Sequence, residues 1–166
     1  MTSLFERQLS TYESYHRDHR NRLTHFVGIP AIVFSLILVL ALWRFRIAGL
    51  SLSGAWLIGL PALAGWIALD RAVGLAMAVV VIPAILVAEW IVGHAGAATV
   101  WWLFGVLFVG GWVFQLVGHA FEGRRPALAD NLFQAFIGPM FLVAEVLTGL
   151  GLRREPARAA EGDGAV

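Results

Sequence analysis

The sequence predicts an all-α integral membrane protein, a helical bundle with four transmembrane helices, an N-terminal amphipathic helix, and a fifth apolar helix that is packed in or re-entrant. Hydrophobic residues make up 59% of the 166-residue chain and charged residues 14%, against about 45–50% and about 25% in soluble domains. Apolar runs of membrane-spanning length follow one another from residue 26 onward. Residues 23–121 carry only five charged side chains, which excludes an ordinary soluble enzyme.

The segment before the first apolar run predicts an amphipathic helix. Its apolar face consists of six residues that recur every three or four positions: Phe5, Leu9, Tyr12, His16, His19 and Leu23. That spacing places them on one side of a helix, which would rest on the membrane or cover the cytoplasmic end of the bundle. The segment lacks the apolar core of a cleaved signal peptide, so we expect it to remain in the mature protein.

Four apolar runs predict the membrane-spanning helices. They cover Phe26–Trp43, Ile47–Leu69, Ala72–Ala88 and about Ala97–Phe121. Asp70 and Arg71 are the polar break between the second and third runs, so these two helices are expected to form a tight hairpin. Trp101 and Trp102 stand where the aromatic belt of a membrane interface is expected.

The fifth apolar run, Leu132–Leu152, contains Glu145 near its middle. A charge at the centre of a spanning helix costs about 2.5–3.5 kcal/mol. If this run does not span, ten of the twelve arginines lie on the side of the N-terminus, as the positive-inside rule requires of a cytoplasmic side. We therefore expect four full spans, cytoplasmic termini, and a last helix packed into the bundle or lying at its cytoplasmic face.

The same pattern predicts the domain organisation. Residues 1–152 are expected to form a single membrane-embedded helical domain, and residues 153–166, rich in Ala, Gly, Arg and Glu, a disordered tail. All twelve basic residues are arginine. Together with the Ala and Gly bias, this favours a GC-rich genome, and a bacterial inner membrane over the endoplasmic reticulum.

Composition also excludes several kinds of chemistry. The chain has no cysteine, so disulfides, thiolate metal sites and cysteine nucleophiles are excluded. It has no lysine, which excludes Schiff-base catalysis. A net charge of +1 without a basic run argues against a nucleic-acid partner. The five histidines are then the main candidates for chemistry.

The predicted topology assigns each of these histidines to one of the two membrane faces. His16, His19 and His25 lie at or before the start of the first span and His119 ends the fourth, so all four are expected near one membrane face. His94 ends the third span on the opposite side. We interpret His94 as a structural or interfacial residue.

One pair of residues suggests a metal site. His119 and Glu122 are three positions apart and therefore neighbours on one helical face. Imidazole suits iron, zinc, copper and nickel, and two histidines with one carboxylate are typical of non-haem Fe(II) oxygenases. Facing further imidazoles, the pair would have the ingredients of such a site.

A second histidine pair reaches the same metal only if the chain bends. His16 and His25 are nine residues apart and point in opposite directions on an unbroken helix. The weak helix former Asn21, and Gly28 with Pro30 at the start of the first span, make a bend plausible.

Two stretches of the chain reproduce longer motifs. The first comprises Tyr12, Tyr15, His16, Asn21, His25 and Pro30. The second comprises Gln115, Gly118, His119, Phe121, Glu122, Arg125, Pro126, Ala127, Leu128, Asp130, Asn131, Leu132, Gln134, Pro139, Phe141 and Glu145. The chain resembles the membrane-bound 2-hydroxy fatty acid dioxygenase family known from fungal phytosphingosine breakdown. The resemblance covers about residues 10–150 and includes the order of the two motifs, their spacing and the hydrophobic segment between them.

The resemblance implies an Fe(II)-dependent enzyme that uses O2 to shorten a 2-hydroxy fatty acid by one carbon, an α-oxidation, with the acyl tail among the spans and membrane lipid around it. It carries over the metal ligands His16, His25 and His119 and the catalytic residues Asn21 and Glu122. A carboxylate substrate also needs a cation, and Arg125, or its neighbour Arg124, is the candidate. Solvent or a lipid phosphate is the competing partner for either arginine.

Further polar residues form a second group of candidates. His19 ranks below His16, because the family pattern does not require a histidine there. Gln115, Asp130, Asn131 and Gln134 are candidates for orienting metal-bound imidazoles, although Asp130 or Asn131 is equally suited to cap the last helix. Glu145 has three open roles: a further metal ligand, a proton relay, or the partner of an arginine.

Two other functions stay open on the sequence alone. The first is a non-catalytic membrane carrier or assembly protein, in which the histidines form a proton path or a structural metal cluster. The second is a zinc-dependent lipid hydrolase, which the identity of the bound metal would distinguish. The sequence leaves the oligomeric state unknown.

Overall fold

The computed structural model of the chain describes residues 4–15, 18–123 and 133–153. Within these ranges, six α-helices and one two-stranded hairpin follow one another. They are α1 (Leu4–Tyr15), α2 (His19–Leu42), β1 (Arg44–Ile47), β2 (Leu50–Ser53), α3 (Gly54–Leu69), α4 (Arg71–His94), α5 (Ala97–Glu122) and α6 (Phe133–Gly149). The predicted helical class is confirmed. Apart from Arg153, the predicted tail lies outside the described residues.

α1 is the amphipathic helix that the spacing predicts. Phe5, Leu9 and Tyr12 are buried, and the helix packs on α6, where the rings of Tyr12 and Phe141 lie 4.3 Å apart between centroids. The apolar face of α1 therefore covers another helix of the bundle instead of resting on lipid.

A helix boundary separates α1 from α2. α1 ends at Tyr15, and Asp18 caps α2 by accepting a hydrogen bond from the backbone N–H of Arg20 at 2.8 Å. The helix boundary therefore precedes Asn21, which lies inside α2. The predicted apolar stripe does not continue into α2: Leu23 is 53% exposed, because α2 has its own axis and turns this side outward.

Three of the described helices are long and apolar enough to cross a membrane, namely α2, α4 and α5. By length and composition, these three helices indicate a membrane protein. α3 has only 16 residues, about 24 Å at a rise of about 1.5 Å per residue, against a hydrocarbon core of about 30 Å. The predicted count of four full spans is therefore not confirmed.

The start of the predicted second span is a β-hairpin, which corrects the expectation of one helix over Ile47–Leu69. β1 and β2 pair antiparallel, with Arg44 opposite Ser53. Ala48 and Gly49 form the turn at φ values of 50° and 82°, the left-handed backbone that two-residue hairpin loops need. In a short apolar run, composition alone does not distinguish a strand from a helix.

α2 and α5 lie antiparallel in close contact because glycines occupy their interface. A Cβ atom at Gly111 would lie 2.9 Å from the backbone oxygen of Gly28, and one at Gly118 would lie 2.1 Å from Thr24 Oγ1. Side chains at these positions would hold the two helices apart. Their absence brings the first turns of α2 against the last turns of α5.

α6 lies at the end of the bundle where α2 begins and α5 ends. Near its start, the backbone oxygen of Phe136 accepts a hydrogen bond from Trp66 Nε1 at 3.0 Å. Just beyond its end, Arg153 pairs with Asp70 at 3.3 Å. Trp66 and Asp70 are one helical turn apart at the junction of α3 and α4, so both ends of α6 contact the same side of the molecule.

The opposite end of the bundle carries exposed tryptophans. Trp43, Trp90, Trp101 and Trp102 are each more than half exposed. They lie at the ends of α2 and α4 and at the start of α5, as an aromatic belt at a membrane interface would. His94 is exposed at this same end, with its ring stacked 4.8 Å from that of Trp90. It is therefore separated from the histidine site, as the sequence predicts.

Candidate functional site

Two buried histidines face each other where α2 meets α5. His25 is 2% exposed and His119 is 5% exposed. Their ring centroids are 5.0 Å apart, and the ring planes meet at 82°. The close packing of the two helices therefore brings together two of the three predicted metal ligands.

The ring of His25 is held in a fixed orientation. Its Nδ1 donates a hydrogen bond to the backbone oxygen of Asn21 at 2.8 Å, one turn earlier in α2. With the proton on Nδ1, Nε2 is the nitrogen that carries a lone pair. A hydrogen bond of this kind to a backbone carbonyl is how proteins commonly orient a metal-binding histidine.

Asn21 connects His25 to Glu122. Asn21 is fully buried, and its Nδ2 donates a hydrogen bond to Glu122 Oε2 at 3.1 Å. The backbone N–H of Asp18 donates to the same oxygen at 2.9 Å. Two donors on one oxygen stabilise Glu122 as an ionised carboxylate. Asn21 thus positions an imidazole through its backbone and a carboxylate through its side chain.

The ring of Tyr12 from α1 lies beside the histidine pair, and the carboxylate of Glu145 from α6 acts on Tyr12. The ring of Tyr12 lies 6.4 Å from that of His25. Burial, and secondarily the negative charge of Glu145, raise the pKa of Tyr12 far above its usual range. Tyr12 therefore stays a neutral phenol at physiological pH. Of the three roles left open for Glu145, the described contacts show an ion pair with an arginine, Arg22.

The two predicted glutamines have different surroundings. Gln134 is buried and donates a hydrogen bond through Nε2 to Gln8 Oε1 at 2.6 Å, so it ties α6 to α1. Gln115 is buried in α5, one turn before His119. A Cβ atom built on Gly28 would lie 2.8 Å from Gln115 Nε2, which places this amide in the α2–α5 interface. Gln115 therefore shares the α2–α5 interface with the histidine pair, whereas the described hydrogen bond of Gln134 is to α1.

The remaining candidates are not joined to this pair by a described contact. His19 is exposed at the start of α2. His16, Arg125 and Asn131 lie outside the residues that the structure describes, as do Arg124 and Asp130.

A metal at this position would have a suitable donor set. Over residues 4–15, 18–123 and 133–153, no group of three or more histidine, aspartate or glutamate side chains forms a metal cluster. His25 and His119 supply two facing imidazoles, and Glu122 follows His119 by three residues. Imidazole and carboxylate donors suit iron. A third imidazole would have to come from beyond these ranges, where His16 lies.

Sequence reasoning missed two residues that shape the site. Asp18 caps α2 and donates its backbone N–H to Glu122. Its signal was readable, since an aspartate before a helical pattern is a common N-cap. Arg22 pairs with Glu145 across 123 positions of chain, and no local pattern specifies such a partner.

Comparisons with known proteins converge on one family. A family model described as 2-hydroxy-palmitic acid dioxygenase Mpo1-like matches residues 2–150. The 2-hydroxy-palmitic acid dioxygenase MPO1 of Saccharomyces cerevisiae is 35% identical over 146 residues, covering 87% of this chain and 80% of the yeast protein. No solved structure matches the chain.

Proposed function

We propose a function from one established premise: the chain belongs to the 2-hydroxy-palmitic acid dioxygenase Mpo1-like family. We propose that it is a membrane-bound, Fe(II)-dependent dioxygenase that shortens 2-hydroxy fatty acids by one carbon with O2. The observation that carries this proposal is the buried His25–His119 pair, with the ring of His25 held by Asn21.

The residues that would hold iron are His25, His119 and His16, with Glu122 as a carboxylate ligand or neighbour. Bound there, Fe(II) would supply coordination positions for the substrate and O2 together with the electrons for oxygen chemistry. Support comes from the donor types, from the burial of both described histidines, and from the Nδ1 hydrogen bond that leaves Nε2 as the ligand atom of His25.

The chain's own groups would perform the orienting steps. Asn21 holds His25 and Glu122 in position through two separate hydrogen bonds, one with each residue's side chain. Tyr12 keeps its proton, because burial raises its pKa, so it can act as a hydrogen-bond donor but not as a base at physiological pH. Arg125 remains the proposed cation for the substrate carboxylate.

The membrane setting suits such a substrate. The site lies at one end of the bundle, beside the membrane-spanning segments α2 and α5. A fatty acyl tail could therefore extend among apolar helices or membrane lipid while its polar head remains at the histidines. We propose that this end faces the cytoplasm of a bacterial cell, since it carries most of the arginines.

The proposal is tested with purified, Fe(II)-loaded protein and 2-hydroxypalmitate. We expect O2 uptake and a fatty acyl product that is one carbon shorter than the substrate. We expect neither when palmitate replaces 2-hydroxypalmitate. His16→Ala, His25→Ala and His119→Ala should each lose iron and activity, whereas the matched control His94→Ala should keep both, because His94 lies at the other end of the bundle.

Three outcomes would refute the proposal. Folded, iron-loaded wild type that consumes no O2 with any 2-hydroxy acid would favour the non-catalytic carrier or assembly protein. Zinc in place of iron, with hydrolysis of a lipid ester, would favour the hydrolase. Loss of iron in His94→Ala would place the metal elsewhere.

A further inference from the structure

We infer that Gln115 binds the head group of the substrate, its side-chain Nε2 donating a hydrogen bond to a carboxylate or hydroxyl oxygen. This inference rests on the proposed function and assigns a residue that would discriminate between a fatty acid and an apolar chain.

The first observation is a buried donor without an acceptor. Gln115 is 7% exposed, and its Nε2 has no hydrogen-bond partner among the residues that the structure describes. A buried N–H group left unpaired costs free energy, whereas an apolar side chain of similar shape would not. Such a donor is unfavourable in the ligand-free fold and becomes favourable when a ligand supplies the acceptor.

The second observation is the position of this donor. Gln115 precedes His119 by four residues on α5, and its Nε2 lies against Gly28, which follows His25 by three residues on α2. Residues spaced by three or four lie on one face of a helix. Gln115 therefore lies about one helical turn, roughly 5.4 Å along α5, from His119 on the side toward the interior of the bundle.

The same interface holds a second buried polar atom of this kind. Within the described ranges, Asn21 Oδ1 also lacks a hydrogen-bond partner, and it lies 2.5 Å from the Cβ position of Gly118. The donor thus lies on α5 and the acceptor on α2, and along the bundle axis the histidines lie between them. This is expected of a site whose hydrogen bonds are completed by a ligand that has both a hydroxyl and a carboxylate.

Gln134 provides a matched control. It is as deeply buried as Gln115, and although its Oε1 has no partner among the described residues, its Nε2 is already paired with Gln8 at 2.6 Å. Replacing each glutamine by methionine removes an amide and conserves volume. Of the two replacements, only the one at position 134 removes a side-chain hydrogen bond that is seen among the described residues.

The experiment uses full-length, Fe(II)-loaded protein in lipid nanodiscs without O2, so that 2-hydroxypalmitate binds without turnover. Thermal unfolding and the Kd are measured for wild type, Gln115→Met and Gln134→Met. Gln115→Met should unfold at the same or a higher temperature than wild type, yet bind at least about tenfold more weakly. Gln134→Met should unfold at a lower temperature and keep the wild-type Kd.

Two results would overturn the inference. Gln115→Met that loses stability as Gln134→Met does, or fails to fold, would show that the amide is structural. An unchanged Kd in stable Gln115→Met would show that the amide does not contact the substrate. Wild type that does not bind 2-hydroxypalmitate at all would instead refute the proposed function, which separates the two failures.

Discussion

Asn21 takes part in three hydrogen bonds from one position in the first turn of α2. Its backbone oxygen accepts from Thr24 Oγ1 at 2.7 Å and from His25 Nδ1 at 2.8 Å, while its Nδ2 donates to Glu122 at 3.1 Å. The orientation of an imidazole on α2 and of a carboxylate on α5 thus depends on one buried side chain and its carbonyl. An amide suits this role, because it donates without carrying charge.

Replacing Asn21 with leucine should weaken both the fold and the metal site. Asn21→Leu conserves volume and keeps the carbonyl that orients His25, but removes one donor from Glu122. We expect a loss of about 1–3 kcal/mol in the free energy of unfolding and about 10–100-fold weaker binding of iron. Chemical unfolding and titration with Fe(II) measure the two effects. His19→Ala, an exposed change on the same helix, is the control and should alter neither.

An Asn21→Leu protein with wild-type iron affinity would contradict the connecting role of Asn21. Loss of stability without loss of iron would restrict that role to the fold.

At the scale of elements, the α2–α5 interface decides which residues form the site. Gly28, Gly111 and Gly118 remove side chains from the contact. Two helices that the hairpin, α3 and α4 separate in the chain therefore approach closely enough for their histidine rings to lie 5.0 Å apart. α1 and α6 then cover this end of the bundle, with Tyr12 packed on Phe141 and Arg22 paired with Glu145.

Adding one methyl group at this interface should disrupt it. The Cβ of Gly118→Ala would lie 2.1 Å from Thr24 Oγ1 and 2.5 Å from Asn21 Oδ1, so the helices must shift. Overpacking of this kind costs about 1–3 kcal/mol, and we expect a lower unfolding temperature and reduced iron content.

Gly105→Ala is the matched control on the same helix. A Cβ atom there has no described atom within 4 Å, and replacing glycine by alanine inside a helix favours the fold by up to about 1 kcal/mol. We expect stability equal to or above that of wild type and an unchanged iron content. Equal behaviour of the two variants would show that close packing at Gly118 is not required.

At the scale of the whole molecule, the two ends of the bundle differ in composition. The end with α1 and α6 holds the buried histidines and the ion pairs of Arg22 and Arg153. The other end holds the exposed tryptophans, His94, and the hairpin, where Arg44 pairs with Glu89. Because arginine-rich segments usually stay on the cytoplasmic side of a membrane, we expect the end with α1 and α6 to face the cytoplasm.

The absence of cysteine makes this orientation directly measurable. Single cysteines at Ser10, exposed on α1, and at Ala48, exposed at the hairpin turn, would report on the two ends. We expect a membrane-impermeant maleimide to label Ala48→Cys in intact cells, and Ser10→Cys only after permeabilisation. Labelling of both from outside would show that α2 does not cross the membrane, and the reverse pattern would place the histidine site outside the cytoplasm.

Local patterns in the sequence accounted for much of this molecule. Apolar runs predicted the three long helices, because length and hydropathy are local properties. The spacing of Phe5, Leu9 and Tyr12 predicted the buried face of α1. The expected alternation of spans across the membrane assigns each residue to one end of the bundle. It therefore separated His94 from His25 and His119 correctly.

Tertiary structure alone decided the contacts that make the site. The hairpin depends on the left-handed turn at Ala48 and Gly49, which an apolar composition does not reveal. Only the tertiary structure identifies the partner of Glu145, because Arg22 is distant from it in the sequence. The sequence by itself determined which chemical groups this membrane protein has and at which end they lie. Only the close approach of α2 and α5 decided which of them meet, because distances between helices depend on packing across the whole chain.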